Sequence, residues 1–374
     1  MSSASGSAPR SGVLQINDDL VVGGVERVVV NLAVDLHSRG HRVGVMAELG
    51  GALWGDVPDG VRRFELEPRG GLVGNLRWVS AIRRAVRDGS WQVVHVHQRA
   101  LSILARLALV GSGVPVVEHV HSLFEPTPVA RMASFRGDRL IACGSQVRAM
   151  LEEGFGRRPD RISVVTNAVV DPGERERARS GVGEPELRIV GIGRLSEEKD
   201  PFRFVDVVAA LRRLGIACSA RWFGDGPLRA DVEEFVRSAG PEHHVSFPGV
   251  STKVASEIAA ADVVLLTSKR EGLPLTILEG MGVGRAVVTP DVGSCRDVII
   301  DGETGVLYDP SLSASEIAAK VAAVYATGDL AALGPAARKY FVENCSLEIM
   351  TQRVVDQYEI ALRGKRLEVG EGNR

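Results

Sequence analysis

The chain is short of cysteine, short of lysine and without any long apolar run, and each shortage excludes something. Its 374 residues hold four cysteines, Cys143, Cys218, Cys295 and Cys345, far apart and with no CxxC pair. Neither a zinc knuckle nor a disulfide framework is indicated, and a reduced, cytoplasmic setting fits. No apolar stretch reaches the roughly 18 residues of a spanning helix, which argues against an integral membrane protein. A net charge of −2 gives no electrostatic reason to expect nucleic acid as a partner. There is no GxSxG, no GxxxxGK[ST] and no complete GxGxxG, so the usual hydrolase, NTPase and dinucleotide signatures are missing. There is also no DxD, which disfavours a divalent cation holding a diphosphate through paired carboxylates. The opening MSSASGSAPRSG has no apolar core and is expected to be a disordered lead-in over 1–12 rather than a secretory signal. Lysine is outnumbered by arginine 6 to 39 while Ala, Val and Gly abound, the composition of a GC-rich bacterial genome.

Glycine is in excess, at 42 of 374 residues against about 7% in an average protein, as many tight turns between strands and helices require. The runs VLQI (13–16), HRVGVM (41–46), WQVVHV (91–96), VPVVEHV (114–120), RLIAC (139–143) and RISVV (161–165) are short and rich in β-branched residues. Helix-like segments at 25–39, 75–88, 99–110 and 144–153 separate most of them. Continuous apolar strands alternating with helices predict a parallel sheet covered on both faces, a Rossmann-like α/β domain over 13–172. The pattern stops in a charged stretch, 173–186, read as a linker. It restarts with LRIVGIG (187–193) and continues through DVVLLTS (262–268) and AVVTP (286–290) as a second Rossmann-like domain, 187–345. Residues 346–374 form a final helix and tail. Two such domains facing across a cleft would set their ligand-binding crevices opposite each other.

Four groups of residues carry chemistry. In GIGRLSEEKDP (191–201) a strand ends at Gly193, and Arg194 and Lys199 project where a phosphate would lie; a solvated loop is the plain alternative. In KREGLPLTILEGMGVGR (269–285), Pro274 sits near a helix start and the backbone N–H groups of Gly272, Leu273 and their neighbours through 275 form an anion site. Glu271 and, eight residues on, Glu279 could meet sugar or ribose hydroxyls, although glutamates at that spacing are common. Gly23 and Gly24 allow backbone to come close to a phosphate or sugar, or make a simple turn. His95, His97, His119 and His121 form two HxH pairs on neighbouring strands. A four-histidine metal site is conceivable, but Glu118 faces the other way and strand histidines without metal are the commoner outcome. No metal is expected, and His121, last in its strand, is best placed to enter a cleft.

Taken in order, GGVERVVVNLA, the strand-end histidine in EHVHSLF, GIGRLSEEKD, FGDGPLR and SKREGLPLTILEGMGVGRAVV with GETGVL resemble the retaining GT-B glycosyltransferases of the GT4-like family (glycosyl transferases group 1). The resemblance runs from about residue 13 to about 345. It implies a sugar donor of nucleotide-diphosphate type, UDP being commonest, bound mainly by the second domain, and an acceptor sugar, lipid or small molecule bound by the first. It further implies that Arg194 and Lys199 hold the diphosphate in place of a metal, with no cofactor required. Glu279 would hold the ribose, Glu271 the donor sugar with backbone help from Gly272 and Leu273, and His121 would sit beside the reacting carbon. Gly24 would let the first loop approach the diphosphate and acceptor. Two departures stand out: Asn167-Ala168 where Asn-Gly is frequent, and GSCRD (293–297) with Asp297 where a GGxxE-like turn is usual. The family's last helix commonly crosses back to the first domain, and 346–363 has the apolar spacing for it.

The segment NLRWVSAIRRAVRD (75–88) sets Leu76, Val79, Ile82 and Val86 on one helix face, with Trp78 and Arg77, Arg83, Arg84 and Arg87 around it. Such a helix can lie on an anionic bilayer at the inner face of the membrane, or simply pack on the sheet. Other readings stay open: a catalytically silent GT-B scaffold that binds a nucleotide sugar or protein partner, a GT-B epimerase, or a metal hydrolase built on the four histidines.

Overall fold

A computed structural model describes residues 11–173, 186–240, 243 and 245–371. The expected lead-in lies outside these as far as residue 10, and the expected linker lies outside them except at its two ends. The chain divides into two compact units, one of Met1–Thr166 with Leu347–Arg374 and one of Asn167–Ser346.

The first unit is built on β1 (Gly12–Ile16), β2 (Arg42–Glu48), β3 (Arg62–Leu66), β4 (Val93–Val96), β5 (Val116–Val120), β6 (Arg139–Ala142) and β7 (Ile162–Val164). They pair in parallel in the order β3-β2-β1-β4-β5-β6-β7. Every residue of β1, β4, β5 and β6 is buried, which is why they read as unbroken apolar runs. The edge strand β3, Arg-Arg-Phe-Glu-Leu, escaped the sequence pattern because no residue in it is buried. Helices α1 (Gly24–Ser38), α2 (Gly71–Val86), α3 (Arg99–Ala108), α4 (Pro128–Ala133) and α5 (Ser145–Ala149) connect the strands. The expected single helix over 144–153 is α5 followed by a π turn, Met150–Gly154. Helix α2 takes the second of the two roles open to 75–88, packing on the sheet: Trp78, Ile82 and Val86 belong to the core with Leu14, Met46 and Trp91. The apolar face is spent on the sheet, and the exposed apolar side chains are Leu72, Val73 and Leu76 in its first turns.

The second unit repeats the plan with β8 (Leu187–Ile192), β9 (Cys218–Phe223), β10 (Ser246–Gly249), β11 (Val263–Leu265), β12 (Ala286–Pro290) and β13 (Val306–Tyr308), ordered β10-β9-β8-β11-β12-β13 and parallel throughout. Its helices are α6 (Pro201–Arg213), α7 (Arg229–Ala239), α8 (Val254–Ala259), α9 (Leu275–Val283), α10 (Ala314–Ala326) and α11 (Asp329–Asn344). The core gathers Phe204, Val208, Trp222, Val288 and Ile317, with the Phe204 and Trp222 rings edge to face at 5.1 Å.

Helix α12 (Leu347–Glu371) belongs to the first unit, as the resemblance implied. It is held there by polar contacts as well as apolar ones. The Tyr358 hydroxyl meets His95 Nδ1 at 2.7 Å, and Gln357 Oε1 accepts from Arg139 Nη2 and Ser163 Oγ, both at 2.8 Å. No single helix among the described residues is long and apolar enough to cross a membrane.

Candidate functional site

In the second unit the strand order reverses between β8 and β11, and ligands of open parallel sheets bind at the carboxyl ends of strands at such a point. The loop leaving β8 and the loop leaving β11 meet there. Gly193 has φ 156°, and its carbonyl accepts from the Trp222 indole N–H at 2.9 Å. The following strand passes so close that a Cβ on Gly224, itself at φ 140°, would stand 2.0 Å from that same carbonyl oxygen, so glycine is obligatory at 224. Asp200 takes the left-handed conformation, φ 49° and ψ 63°, and caps α6 through a hydrogen bond from the Arg203 N–H. Asp, with its short polar side chain, is among the few non-glycine residues that tolerate it.

The two loops are tied together. Thr267 Oγ1 donates to the carbonyls of Lys199 and Asp200 at 3.2 and 3.0 Å. The Lys269 N–H donates to Glu198 O at 2.7 Å, and Lys269 Nζ lies 3.2 Å from Asp200 Oδ2. At the centre, Lys199 Nζ donates to Glu271 Oε1 at 2.6 Å, with the Glu271 side chain only 8% exposed. Two of the expected residues are thus in direct contact. Arg194, on the same loop, is exposed and makes no ion pair with a described residue.

Pro274 corrects the anion site expected over 272–275. It precedes the first residue of α9 and has no N–H, so the donors are Gly272, Leu273, Leu275 and Thr276. Gly272 and Leu273 are buried, and Ser294 N–H donates to Gly272 O at 2.7 Å. A Cβ on Gly293 would lie 2.2 Å from Glu271 O, so the loop after β12 props the Glu271-Gly272 backbone from behind. Glu279 lies one turn inside α9 and is half-buried.

The first unit holds the remaining candidates at the carboxyl ends of β1 and β5. Gly23 is extended, φ −166°, and caps α1, which starts at Gly24. The Glu26 carboxylate folds back over this helix end, so that a Cβ on Gly23 would meet Glu26 Oε2 at 2.1 Å. An internal carboxylate therefore stands where a helix N-terminus would greet a phosphate, and burial raises its pKa. His121 directly follows β5 and with Val25, Arg99 and Ser122 lines a cavity of about 50 Å³.

The four histidines do converge in part. The ligand atoms of His95, His97 and His119 lie within 4.8 Å of one another, and the His119 and His121 rings stack at 4.1 Å. Burial, reinforced by the neighbouring imidazoles, holds the pKa values of His95, His97 and His119 well below the usual histidine range. Both ring nitrogens of His97 are already engaged, Nδ1 with His121 Nε2 at 3.1 Å and Nε2 with Gln15 Oε1 at 3.0 Å. Glu118 turns away as expected and accepts from the Gly137 N–H. Sequence reasoning missed Gln15, which looks like one polar residue in an apolar strand, and the strapping roles of Thr267, Lys269 and Gly293.

The family model for glycosyl transferases group 1 matches residues 173–340, and that for glycosyltransferase family 4 matches residues 22–171. Together they span both units. The chain belongs to the group 1, GT4-like glycosyltransferases. Among curated relatives, an α-D-kanosaminyltransferase of Streptomyces kanamyceticus is 27% identical over 66% of this chain and 72% of its own. A D-inositol 3-phosphate glycosyltransferase of Rhodococcus erythropolis is 28% identical over 73% and 69%. Among solved structures, a glycosyltransferase from Rickettsia africae superposes with TM-score 0.82 at 19% identity, covering 95% of this chain and 99% of that one. Anabaena HepE in complex with UDP-glucose follows at TM-score 0.79 and 18% identity, covering 93% and 99%. The fold of this glycosyltransferase is accordingly GT-B, with two Rossmann-like domains of seven and six parallel strands.

Proposed function

We propose that this glycosyltransferase moves a sugar from a nucleotide-diphosphate sugar, UDP favoured, to an acceptor hydroxyl, with retention of configuration and without a metal ion. The observation that carries the reading is the Lys199–Glu271 ion pair at the β8/β11 switch point, flanked by exposed Arg194 and by the N–H groups of Gly272 and Leu273. In this reading Lys199 and Arg194 take the diphosphate oxygens and stabilise the negative charge that grows on them as the glycosidic bond breaks. Glu271 accepts from donor-sugar hydroxyls, Glu279 from the ribose, and His121 stands beside the reacting carbon. Gly23, Gly24 and Gly193 keep the loops low enough for the donor to approach.

The anomeric carbon–oxygen bond to the phosphate breaks and a bond to the acceptor oxygen forms on the same face. The acceptor proton passes to the departing phosphate oxygen, so no protein nucleophile is needed. Support for UDP comes from the neighbour solved with UDP-glucose. A thermal-shift panel of UDP, GDP, ADP, TDP and their sugar conjugates, run with EDTA on wild type and Lys199→Ala, tests the donor class. One diphosphate family stabilising only the wild type supports the reading, because ligand binding to the native state raises Tm by mass action. No shift from any of them sinks it. The anomeric configuration of the product, read by NMR, tests retention.

A second reading concerns a peripheral site on an anionic bilayer at the inner face of the membrane. It draws on Leu72, Val73 and Leu76, exposed at 74%, 68% and 59%, beside the exposed Arg77, Arg83, Arg84 and Arg87, a pairing suited to anionic lipid. Co-sedimentation with phosphatidylglycerol vesicles that disappears on L72S/V73S/L76S would support it, and equal sedimentation of the two proteins would remove it.

A further inference from the structure

We infer that Gln15 and His97 are positioning residues that fix the tautomer of His121. The inference rests on the reading of His121 as a donor-site residue and extends it into the sheet. It follows from a chain of three buried side chains whose hydrogen-bond directions are each determined by the one before.

The chain is anchored in β1. The Gln15 side chain is fully buried, and its Nε2 lies 3.4 Å from the Val29 carbonyl of α1. A backbone carbonyl only accepts, so the amide is oriented with its NH2 toward Val29 and its Oε1 toward His97. The opposite orientation would set two oxygens against each other.

Gln15 Oε1, 3.0 Å from His97 Nε2, is likewise only an acceptor, so Nε2 carries the proton. His97 is neutral, since burial and the imidazoles of His95 and His121 disfavour its charged form. A neutral ring protonated at Nε2 has its lone pair at Nδ1. That lone pair lies 3.1 Å from His121 Nε2, so the His121 ring must donate from Nε2.

The consequence is chemical. His121 is at the carboxyl end of β5 and borders a cavity, while its Nε2 proton is committed to the interior. In the neutral ring, the lone pair is then at Nδ1, which is itself buried. Without the relay, His97 would no longer dictate which nitrogen of His121 carries the proton. Setting the tautomer of a reacting-centre imidazole through its other nitrogen is a recurring device, and loss of the orienting partner there reaches about 10⁴-fold.

The test uses His97→Asn, His97→Leu and Gln15→Leu in the full chain. Asparagine places a carbonyl oxygen near the former Nδ1 and can still accept from His121, whereas leucine cannot. Nitrogen-15 NMR of histidine-labelled protein should find His121 as the Nε2–H tautomer in wild type and His97→Asn, and as a mixture in His97→Leu and Gln15→Leu. Turnover of the nucleotide sugar that stabilises the wild type should fall about tenfold or more in His97→Leu, below the 10⁴-fold extreme, and recover in His97→Asn. A role in packing alone predicts the reverse order, because leucine suits an apolar interior better than asparagine. An Nδ1–H tautomer in the wild type, or His97→Leu matching wild-type turnover, overturns the inference. If the tautomers are as stated but His121→Ala leaves turnover unchanged, the donor-site reading of His121 fails and the positioning role falls with it.

Discussion

Lys199 and Glu271, 72 residues apart in sequence, are joined by a 2.6 Å ion pair that bridges the loops after β8 and β11. The pair is unequal: Glu271 is 8% exposed and Lys199 25%. Removing the lysine leaves a nearly buried carboxylate without its cation. Lys199→Ala should therefore lower turnover by orders of magnitude and also destabilise the fold by about 1–3 kcal/mol, between the values for exposed and fully buried pairs. Adding Glu271→Gln should restore part of that stability without restoring turnover. Urea unfolding beside steady-state kinetics on the single and double variants checks both halves, and full recovery of activity in the double variant would refute the assigned roles.

Arg194 is the contrasting case. It is exposed and holds no described carboxylate, so no ion pair among the described residues depends on its charge. Arg194→Ala should lose turnover by orders of magnitude at unchanged Tm, while Arg194→Lys retains part of it by keeping the charge but losing the fork. Glu279→Gln should act mainly on donor KM, and an unchanged KM would dismiss its ribose contact.

Gly293 and Gly302 both adopt left-handed backbone, φ 56° and 78°, yet only Gly293 is crowded. A Cβ there would lie 2.2 Å from Glu271 O, whereas nothing comes within 4 Å at Gly302. Gly302→Ala should cost about 1–2 kcal/mol, the penalty of the conformation alone. Gly293→Ala should cost more and also weaken diphosphate binding, because the displaced backbone is that of Glu271 and Gly272. Equal Tm losses and equal UDP affinity in the two variants would show that the loop after β12 does not support the donor loop.

What could be read from the sequence was what residue type alone announces. Buried parallel strands announce themselves as apolar runs, and GIGRLSEEKDP and KREGLPLTILEG carry unusual cations, glycines and carboxylates at strand ends. The strands β3 and β13 gave little signal, one because it is an exposed edge and the other because Val306–Tyr308 is flanked directly by Gly305 and Asp309, so no longer apolar run surrounds it. The face of α2 left two readings open, a bilayer or the sheet, because an apolar stripe looks the same whichever covers it, and Trp78, Ile82 and Val86 pack in the core. Gln15 was invisible for a different reason: its meaning comes from Val29 and His97, residues 14 and 82 positions away, and periodicity carries no information about such partners. The same holds for the Lys199–Glu271 pair, whose members were each singled out while their contact was not.

The buried imidazoles also set an acid limit on stability. His95, His97 and His119 have pKa values well below their usual one, whereas in the unfolded chain each titrates near 6.5. Below about pH 6.5 the unfolded state therefore binds more protons, and stability falls as pH drops, by about 1.4 kcal/mol per pH unit for each histidine once the unfolded rings are charged. Three of them give about 4 kcal/mol per unit, and no slope from this source remains above about pH 7.5. Asp18, Glu26 and Glu118, whose pKa values burial raises, act in the opposite direction just above the usual carboxylate range. The clean measure is consequently a difference between proteins. Urea midpoints of wild type and His119→Leu between pH 8 and 5.5 should separate on the acid side, with the variant losing about a third of the histidine slope. Parallel pH dependences in the two proteins would mean that His119 is charged in the folded state, and its place among three other imidazoles would then need a counter-ion that none of the described residues supplies.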